Sequence, residues 1–386
     1  MNPEITLQDK EDIVIAQEYR IRVNPPRQSS FRVVALIYYQ LLGQEESSSN
    51  NSNRNYVVGA NDEPCYMNGS ICAERAALVQ LRFLPIKSIT KVVITTDSPQ
   101  PIYPGFLCRE FMSSHLALDP ETVPIITAGS LCRDPCCRLN IGKTMIDNTF
   151  ASAPGINHES SALASLSETA SAFNACLGQG KTFHQWNIVK TSLTALYPYP
   201  SPYTRLDANE CVELGPILSK KYSDQQIIAQ SQLPPQASHL IAKATEAANA
   251  ANDRYQLHPI QYAAAVLFDD GTIQTACQRK ALEYGCSLDA VTQLGTYMEE
   301  KLGTNKKNDS DLGTSRPKLL VQTDQFGVIH APFATARAYL SEFGFGDTKV
   351  LISQSCQQMA DDVQILQISV CDLAPSAPDI GALFVQ

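Results

Sequence analysis

The chain has 386 residues, of which 44% are hydrophobic and 18% charged, a composition typical of a globular protein with more than one domain. Its formal net charge of -9 disfavours a polynucleotide partner, because avid binding of that kind depends on basic surface. No apolar run approaches the roughly 20 residues needed to cross a bilayer, and the first residues lack the basic start and apolar core of a signal peptide. We therefore expect no membrane partner and a cytoplasmic location, where the 12 cysteines serve as thiols or metal ligands rather than disulfides.

Strand and helix patterns alternate through residues 12–140. Their order is α-β-β-α-β-α-β, which predicts a mixed sheet with a parallel part built by right-handed crossovers. The spacing of apolar residues identifies each element, and Pro, Gly and polar residues mark where it begins and ends. The predicted helices and strands are Ile13–Glu18, Phe31–Ile37, Asn55–Ala60, Cys72–Leu84, Ile89–Thr95, Pro104–His115 and Val123–Ala128.

Two cysteines stand near the predicted starts of helices. Cys72 precedes the first helix after the hairpin, and Cys108 lies in the next one. The positive end of a helix dipole stabilises a thiolate, so two such helix starts side by side can hold one Zn2+. Glu74, in the first turn after Cys72, can take a proton from water and pass it on. A zinc deaminase needs three protein ligands, and the third expected position, directly after Pro104, is Gly105.

The motifs Cys72-Ala73-Glu74-Arg75 and Pro104-x-x-x-Cys108-Arg109 resemble those of the free-nucleoside cytidine deaminases, which carry C-A-E-R and P-C-x-x-C-R. The resemblance implies that Cys72 and Cys108 bind Zn2+ and that Glu74 is the catalytic proton shuttle. The glycine at position 105 departs from the family pattern, because the family has a ligand cysteine there.

Two further segments extend the resemblance. Gly59–Glu63 is similar to the family's G-x-N-x-E segment, which implies that Asn61 and Glu63 bind the ribose hydroxyls. Ser30–Val33 is similar to its S-x-F-x-V strand, which implies that Phe31 packs on the nucleoside. Each residue also has an ordinary structural interpretation. A first-turn glutamate is favoured by the helix dipole, Asn and Glu occur in turns, and a strand phenylalanine is usually core.

The later part of the chain repeats this layout with different residues. Residues 260–272 read as strand, turn and strand, and the spacing from Gln278 to Asp289 equals that from Asn61 to Cys72. The repeat carries no counterpart of the ligands or of the glutamate; the residues at these positions are Asp289, Val291, Phe333 and Ala336. This resembles the two-domain cytidine deaminases, in which a degenerate domain follows the catalytic one.

The predicted fold is therefore α/β, with two cytidine-deaminase-like three-layer α-β-α domains that have mixed sheets and are related by a pseudo-two-fold axis. We expect the zinc-site domain at 1–150, a connector or lid at 151–235 and the degenerate domain at 236–386.

A cysteine-rich stretch follows the last predicted strand of the first domain. It holds Cys132, Cys136 and Cys137. If that strand is parallel to Ile89–Thr95, its carboxyl end opens on the edge where ligands collect in α/β sheets. One of these thiols is then a candidate third zinc ligand. The alternative is a separate cluster or buried thiols.

The function expected from the resemblance is zinc-dependent hydrolytic deamination of cytidine or deoxycytidine to the uridine product, a reaction of pyrimidine salvage. The partner would be a small pyrimidine nucleoside, and the chain would form a homodimer. The alternative is a pseudoenzyme, a nucleoside-binding or structural scaffold without catalytic activity. The sequence leaves the choice between base, nucleoside and nucleotide open.

Overall fold

The computed structural model describes residues 4–43, 54–129, 187–229, 233–251, 258–303, 315–355 and 363–377. These residues form two mixed sheets, each with helices packed against it. The α/β class predicted from the sequence is confirmed. No helix in these ranges combines the length and the apolar character that a membrane span needs.

The first half contains five strands in the order β2-β1-β3-β4-β5. The pair β3–β4 is parallel and the other pairs are antiparallel. Its elements are α1 (Leu7–Arg22), β1 (Val33–Leu41), β2 (Asn55–Ala60), α2 (Ala73–Gln80), β3 (Ile86–Thr96), α3 (Phe106–Ser114), β4 (Ile125–Ala128), β5 (Ile188–Thr191) and α4 (Leu193–Leu196).

The second half repeats this arrangement as β7-β6-β8-β10-β11, again with one parallel pair, β8–β10; the short strand β9 is additional and pairs with β8. Its elements are α5 (Ala208–Ala229), α6 (Ala237–Ala250), β6 (Tyr262–Phe268), β7 (Ile273–Cys277), α7 (Ala290–Lys301), β8 (Pro317–Asp324), β9 (Ile329–His330), α8 (Ala334–Glu342), β10 (Lys349–Ser355), β11 (Val363–Ser369) and α9 (Val370–Leu373).

Successive side chains of the central strands point to opposite faces of the sheet, so helices pack on both faces and the first half has three layers. In β1, Ala35 and Ile37 face the core under α2 and α3, whereas Leu36 and Tyr38 face the core under α1. Successive strand residues point to opposite faces, so both faces of this buried sheet are apolar. The same separation into two cores recurs in the second half.

A glycine sets the distance between β2 and the helix that carries the candidate site. A side chain on Gly59 would collide with the carbonyl oxygen of Ala73 and the amide of Ala77 in α2. The strand therefore approaches the first turns of α2 closely, which fixes where Cys72 lies.

Arg109, a fully buried residue of α3, joins the two halves. Its guanidinium donates to the carbonyl of Leu196 at the end of α4, at 2.8 Å. It also donates to the carbonyls of Pro375 (2.8 Å) and Ser376 (2.6 Å), which follow α9 of the other half. Ser376 has a left-handed backbone, with φ of 52°.

Arg337, in α8, makes the reciprocal set of contacts. It donates to Leu373 at the end of α9 at 3.1 Å, and to Pro198 and Tyr199, which follow α4, at 2.7 Å each. Tyr199 is also left-handed, with φ of 55°. Each half thus fixes the chain that leaves the last helix of the other, as a two-fold relation requires.

All seven elements predicted for the first half are present, in the predicted order. The helix predicted at Cys72–Leu84 is α2 followed by a short 3-10 turn, Leu81–Phe83. Strand β5 lies in the segment predicted as connector and pairs with β4 in the first sheet. The domain boundaries at 150 and 236 stay a prediction.

Candidate metal and catalytic site

The starts of α2 and α3 bring three chemically active side chains together. Cys72 is the N-cap of α2 and Glu74 lies in its first turn, while Cys108 lies in the first turn of α3. The two sulfur atoms and a carboxylate oxygen of Glu74 all lie within 4.8 Å of one another. Among the described residues this is the one group of three or more acidic, thiol or imidazole side chains with that geometry.

The two thiols share their hydrogen bond unequally. The bond from Cys108 lowers the pKa of Cys72 to about 6, against the opposing effect of burial. The same bond, together with burial and the nearby Glu74, raises the pKa of Cys108. Arg75 also favours the Cys72 thiolate, with its Nη2 3.8 Å from the sulfur and 3.1 Å from the carbonyl oxygen of Ser70. These effects favour the thiolate form at Cys72 and the thiol form at Cys108.

Glu74 is a buried carboxyl group, only 3% exposed. Burial, and next the negative charge of Cys72, raise its pKa to about 7. A group with a pKa near the working pH can both accept and release a proton efficiently. This is the electrostatic setting that proton transfer requires.

Asn61, Glu63 and Phe31 meet at the start of β1. The Asn61 amide accepts a hydrogen bond from Val33 N at 2.8 Å and donates to the Phe31 carbonyl at 2.9 Å and to Glu63 at 3.3 Å. Glu63 also accepts from the backbone N and hydroxyl of Ser29, both at 2.9 Å.

This network lies close to the three-residue group, since the backbone of Asp62, between Asn61 and Glu63, pairs with that of Ile71, which directly precedes Cys72. Asn61 is held at the start of β1 by these bonds, while Glu63 keeps one acceptor position for a further donor. The roles of these residues in ribose binding, and of Phe31 against a nucleoside, stay predictions.

Gly105 is the N-cap of α3 and gives that helix no side-chain cap. A Cβ built there meets no atom within 4 Å, so a larger residue has space at the position where the family carries a ligand. Two thiolates are donors that Zn2+ accepts, so Cys72 and Cys108 fit the ion, with Glu74 beside them as an acid or base rather than a ligand. The other candidate ligands, Cys132, Cys136 and Cys137, lie outside the described residues.

The equivalent positions of the second half hold no such group. Asp289 is the N-cap of α7, and its carboxylate accepts a hydrogen bond from Thr292 N at 2.9 Å. Val291 and Ala336 are fully buried in the apolar core, and Phe333 is the N-cap of α8. The substitutions predicted from spacing therefore fall at the structurally equivalent places.

Sequence reasoning missed three contributors to this region. The motif includes Arg75 but does not indicate that its side chain contacts Cys72. Ser29, which donates two hydrogen bonds to Glu63, lies just before the segment that resembles the family. Glu110, which bonds to the second half, was also missed, because its partners are far away in sequence. Only Arg75 carried a usable signal, its place directly after the glutamate.

No protein-family model matches the sequence, and no curated protein matches it. Solved structures of cytidine deaminases are similar to part of it. The enzyme from Mycobacterium tuberculosis has 25% identity over 36% of this chain and 95% of that chain, with a TM-score of 0.27. Those from Mycobacterium leprae (19% identity, 36% and 96%) and Bacillus anthracis (15%, 38% and 91%) have the same TM-score. At TM-scores this low, the function has to be argued from the chain's own residues.

Proposed function

We propose that the first half is a zinc-dependent hydrolase that deaminates cytidine or deoxycytidine to the uridine product. The observation that carries the proposal is the convergence of Cys72, Glu74 and Cys108 at two helix starts, within 4.8 Å of one another. Cys72 and Cys108 would hold the ion. When bound, Zn2+ supplies the Lewis acidity that turns water into a nucleophile near neutral pH.

The chain's own residues would then divide the remaining work. Glu74 takes one proton from the attacking water and gives it to the ring nitrogen; it then takes the second proton of that oxygen and gives it to the amine, which leaves as ammonia. Arg75 offsets the negative charge of the thiolates. Asn61 and Glu63 hold the ribose hydroxyls, and Phe31 packs on the nucleoside, as the family resemblance implies. A cytoplasmic location belongs to the same proposal.

The test measures metal and turnover on the same preparation. We expect elemental analysis of the purified chain to give about one zinc per polypeptide, and chromatography to show conversion of cytidine to uridine with release of ammonia. Removal of the zinc by a chelator should abolish the conversion, and added zinc should restore it. Cytosine and cytidine monophosphate, assayed in parallel, decide between base, nucleoside and nucleotide.

The second candidate function is a pseudoenzyme that binds nucleosides or serves as a scaffold. Gly105 favours it, because the residue supplies no ligand at the expected third position. A zinc-free chain without turnover that still binds cytidine in calorimetry would establish this alternative and contradict the first.

We further propose a homodimer. The loop before α2 exposes Tyr66 and Met67 by 70% and 80%, and the equivalent loop before α7 exposes Leu282 and Tyr284 by 63% and 68%. Exposed apolar side chains at equivalent places in both halves suit a symmetric contact between two chains. Light scattering after gel filtration should give twice the mass of one chain, and Met67→Lys combined with Tyr284→Lys should halve it.

A further inference from the structure

Glu110 links the metal-site helix to the second half. It lies on α3, two residues after Cys108, and its side chain crosses the boundary between the halves. One carboxylate oxygen accepts a hydrogen bond from the backbone N of Ala334 at 3.2 Å, and the other accepts from the hydroxyl of Tyr197 at 3.0 Å. Both oxygens are therefore engaged outside their own helix.

The bond to Ala334 satisfies a helix that lacks a cap of its own. Ala334 is the first residue of α8, and the N-cap residue of that helix, Phe333, makes no capping bond with its side chain. The first amides of a helix need acceptors, and a negative group is favoured there by the helix dipole. Glu110 thus supplies the hydrogen-bond acceptor at the N-terminus of α8, a helix of the other half.

The bond to Tyr197 connects Glu110 to a buried cation. The Tyr197 ring is 3% exposed and lies under the guanidinium of Arg337, which is 4.0 Å from the ring centroid. Arg337 in turn is fixed by the carbonyl groups of Pro198 and Tyr199. The carboxylate is consequently held on both sides by groups that cannot move independently of the second half.

The contact has no reciprocal. By spacing from Pro104 and Pro332, the counterpart of Glu110 is Ala338, and the residue after α9 that corresponds to Tyr197 is Ala374. Both alanines pack against the core that contains Cys108. The start of α8 therefore receives a carboxylate from the first half, whereas the counterparts Ala338 and Ala374 have no polar side-chain atom with which to return such a bond.

We propose that Glu110 is a positioning residue, which fixes α3 against the second half and thereby holds Cys108 in place for metal binding. The degenerate half then serves the candidate site as its anchor. The metal part of this inference rests on the proposed function, whereas the positioning of Cys108 does not.

Two readouts test the proposal on the full chain. The first is zinc affinity, measured by competition with a chromophoric chelator, together with the thiolate-to-metal charge-transfer band of the Co2+-loaded protein. The second is the rate at which iodoacetamide alkylates Cys108, followed by mass spectrometry on the metal-free protein. Cys108 is fully buried, so its alkylation rate reports how firmly α3 is held.

We expect Glu110→Ala to weaken zinc binding about tenfold, as loss of a supporting hydrogen bond typically does, to reduce the charge-transfer band and to speed alkylation of Cys108. Glu110→Gln, which keeps an acceptor, should restore most of both readouts. Tyr197→Phe, which removes one hydroxyl, should have an intermediate effect and covers the case in which Glu110→Ala does not fold.

Two controls separate positioning from general stability. Glu342→Ala, at the exposed end of α8, should change neither readout. Leu240→Ala, in the core under α6, should lower the melting temperature without altering zinc affinity or Cys108 alkylation.

Unchanged zinc affinity and unchanged alkylation in both Glu110→Ala and Tyr197→Phe would overturn the proposal. A wild-type chain that binds no zinc would contradict the proposed function, and the alkylation rates would still decide the role of Glu110.

Discussion

The first turns of α2 and α7 occupy equivalent places in the two halves, but they differ in whether the N-cap residue caps the helix and in whether the buried residue is apolar. In α7 the N-cap Asp289 satisfies its own helix through Thr292, and Val291 fills the core. In α2 the N-cap Cys72 makes no capping bond, and the buried position equivalent to Val291 holds Glu74. An unfulfilled cap and a buried carboxyl both cost stability. The first half therefore carries costly residues at the two positions to which the proposed function assigns chemistry, whereas the second half carries a capping residue and a core residue there.

The largest effect is expected when the buried carboxylate of Glu74 is removed. We expect Glu74→Gln, which has almost the same shape, to lower the rate of cytidine deamination at least a hundredfold, because proton transfer to the leaving group is lost. The measurement is the initial rate of uridine formation at saturating cytidine.

Glu300→Gln, on the exposed surface of α7, is the matched control and should leave that rate unchanged. Full activity in Glu74→Gln would contradict the assigned role. Circular dichroism should show the same fold for both variants.

The second test adds a metal ligand to the first half instead of removing a catalytic group. Gly105→Cys introduces a thiol where a Cβ meets no neighbour within 4 Å, and the backbone conformation there suits any residue. We expect zinc affinity to rise at least tenfold, because a third thiolate completes the donor set. Chelator competition measures the change.

The control is Phe333→Cys, at the equivalent N-cap of α8. It should bind no additional zinc, since Ala336 and Val291 offer no donor atoms. Unaltered affinity in Gly105→Cys would mean that the start of α3 does not face the metal.

The caps themselves give a smaller effect, on stability. Asp289→Ala should lower the free energy of unfolding by about 1 kcal/mol, the usual cost of losing an N-cap side chain. Cys72→Ala in the metal-free protein should cost less than half as much, because Cys72 caps nothing. Urea unfolding followed by circular dichroism compares the two variants. Equal losses would refute the idea that only α7 has been optimised at this position.

The smallest predicted effect concerns the opposite face of the sheets, where α1 and α6 differ. In α1, Asp9 pairs with Lys91 on β3 at 2.6 Å and with Lys190 on β5 at 2.9 Å. Burial alone would raise the pKa of Asp9, but hydrogen bonds from these two lysines lower it. The equivalent face of α6 is apolar, with Leu240, Ile241 and alanines.

Because the folded-state pKa of Asp9 is below the unfolded value of about 3.9, the pairs stabilise the protein fully above that pH. Their contribution, on the order of 1 kcal/mol or less, is lost as the pH falls further and Asp9 becomes protonated. The protection of β3 amides against hydrogen exchange, corrected for the intrinsic exchange rate at each pH, should therefore fall below about pH 4 before that of β8 does. Lys91→Met should make the exchange of β3 less sensitive to acid; an unchanged acid response would exclude the pairs as its cause.

The sequence was sufficient for the elements of the first half and for the convergence of Cys72 with Cys108. Runs of apolar and β-branched residues define β1 and β3, and both cysteines lie at helix starts, Cys72 after β2 and Cys108 after β3. Strand β5 was not predicted, because the four residues Ile188–Thr191 become a strand only through pairing with β4. The bond from Glu110 to Ala334 joins residues 224 positions apart. Such contacts depend on how the halves pack, which local patterns do not encode.

The reciprocal contacts of Arg109 and Arg337 also bear on ancestry. Each arginine donates to one carbonyl group of its own half, at the end of that half's last helix: Arg109 to Leu196 and Arg337 to Leu373. Each also donates to the two carbonyl groups that follow the last helix of the other half. The residues that turn the chain there, Tyr199 and Ser376, share a left-handed backbone although their side chains are unrelated. An exchange of this kind is what two identical subunits make across a symmetry axis. The two halves of this one polypeptide therefore meet as two copies of one subunit would, which is the arrangement expected if the chain arose by duplication and fusion.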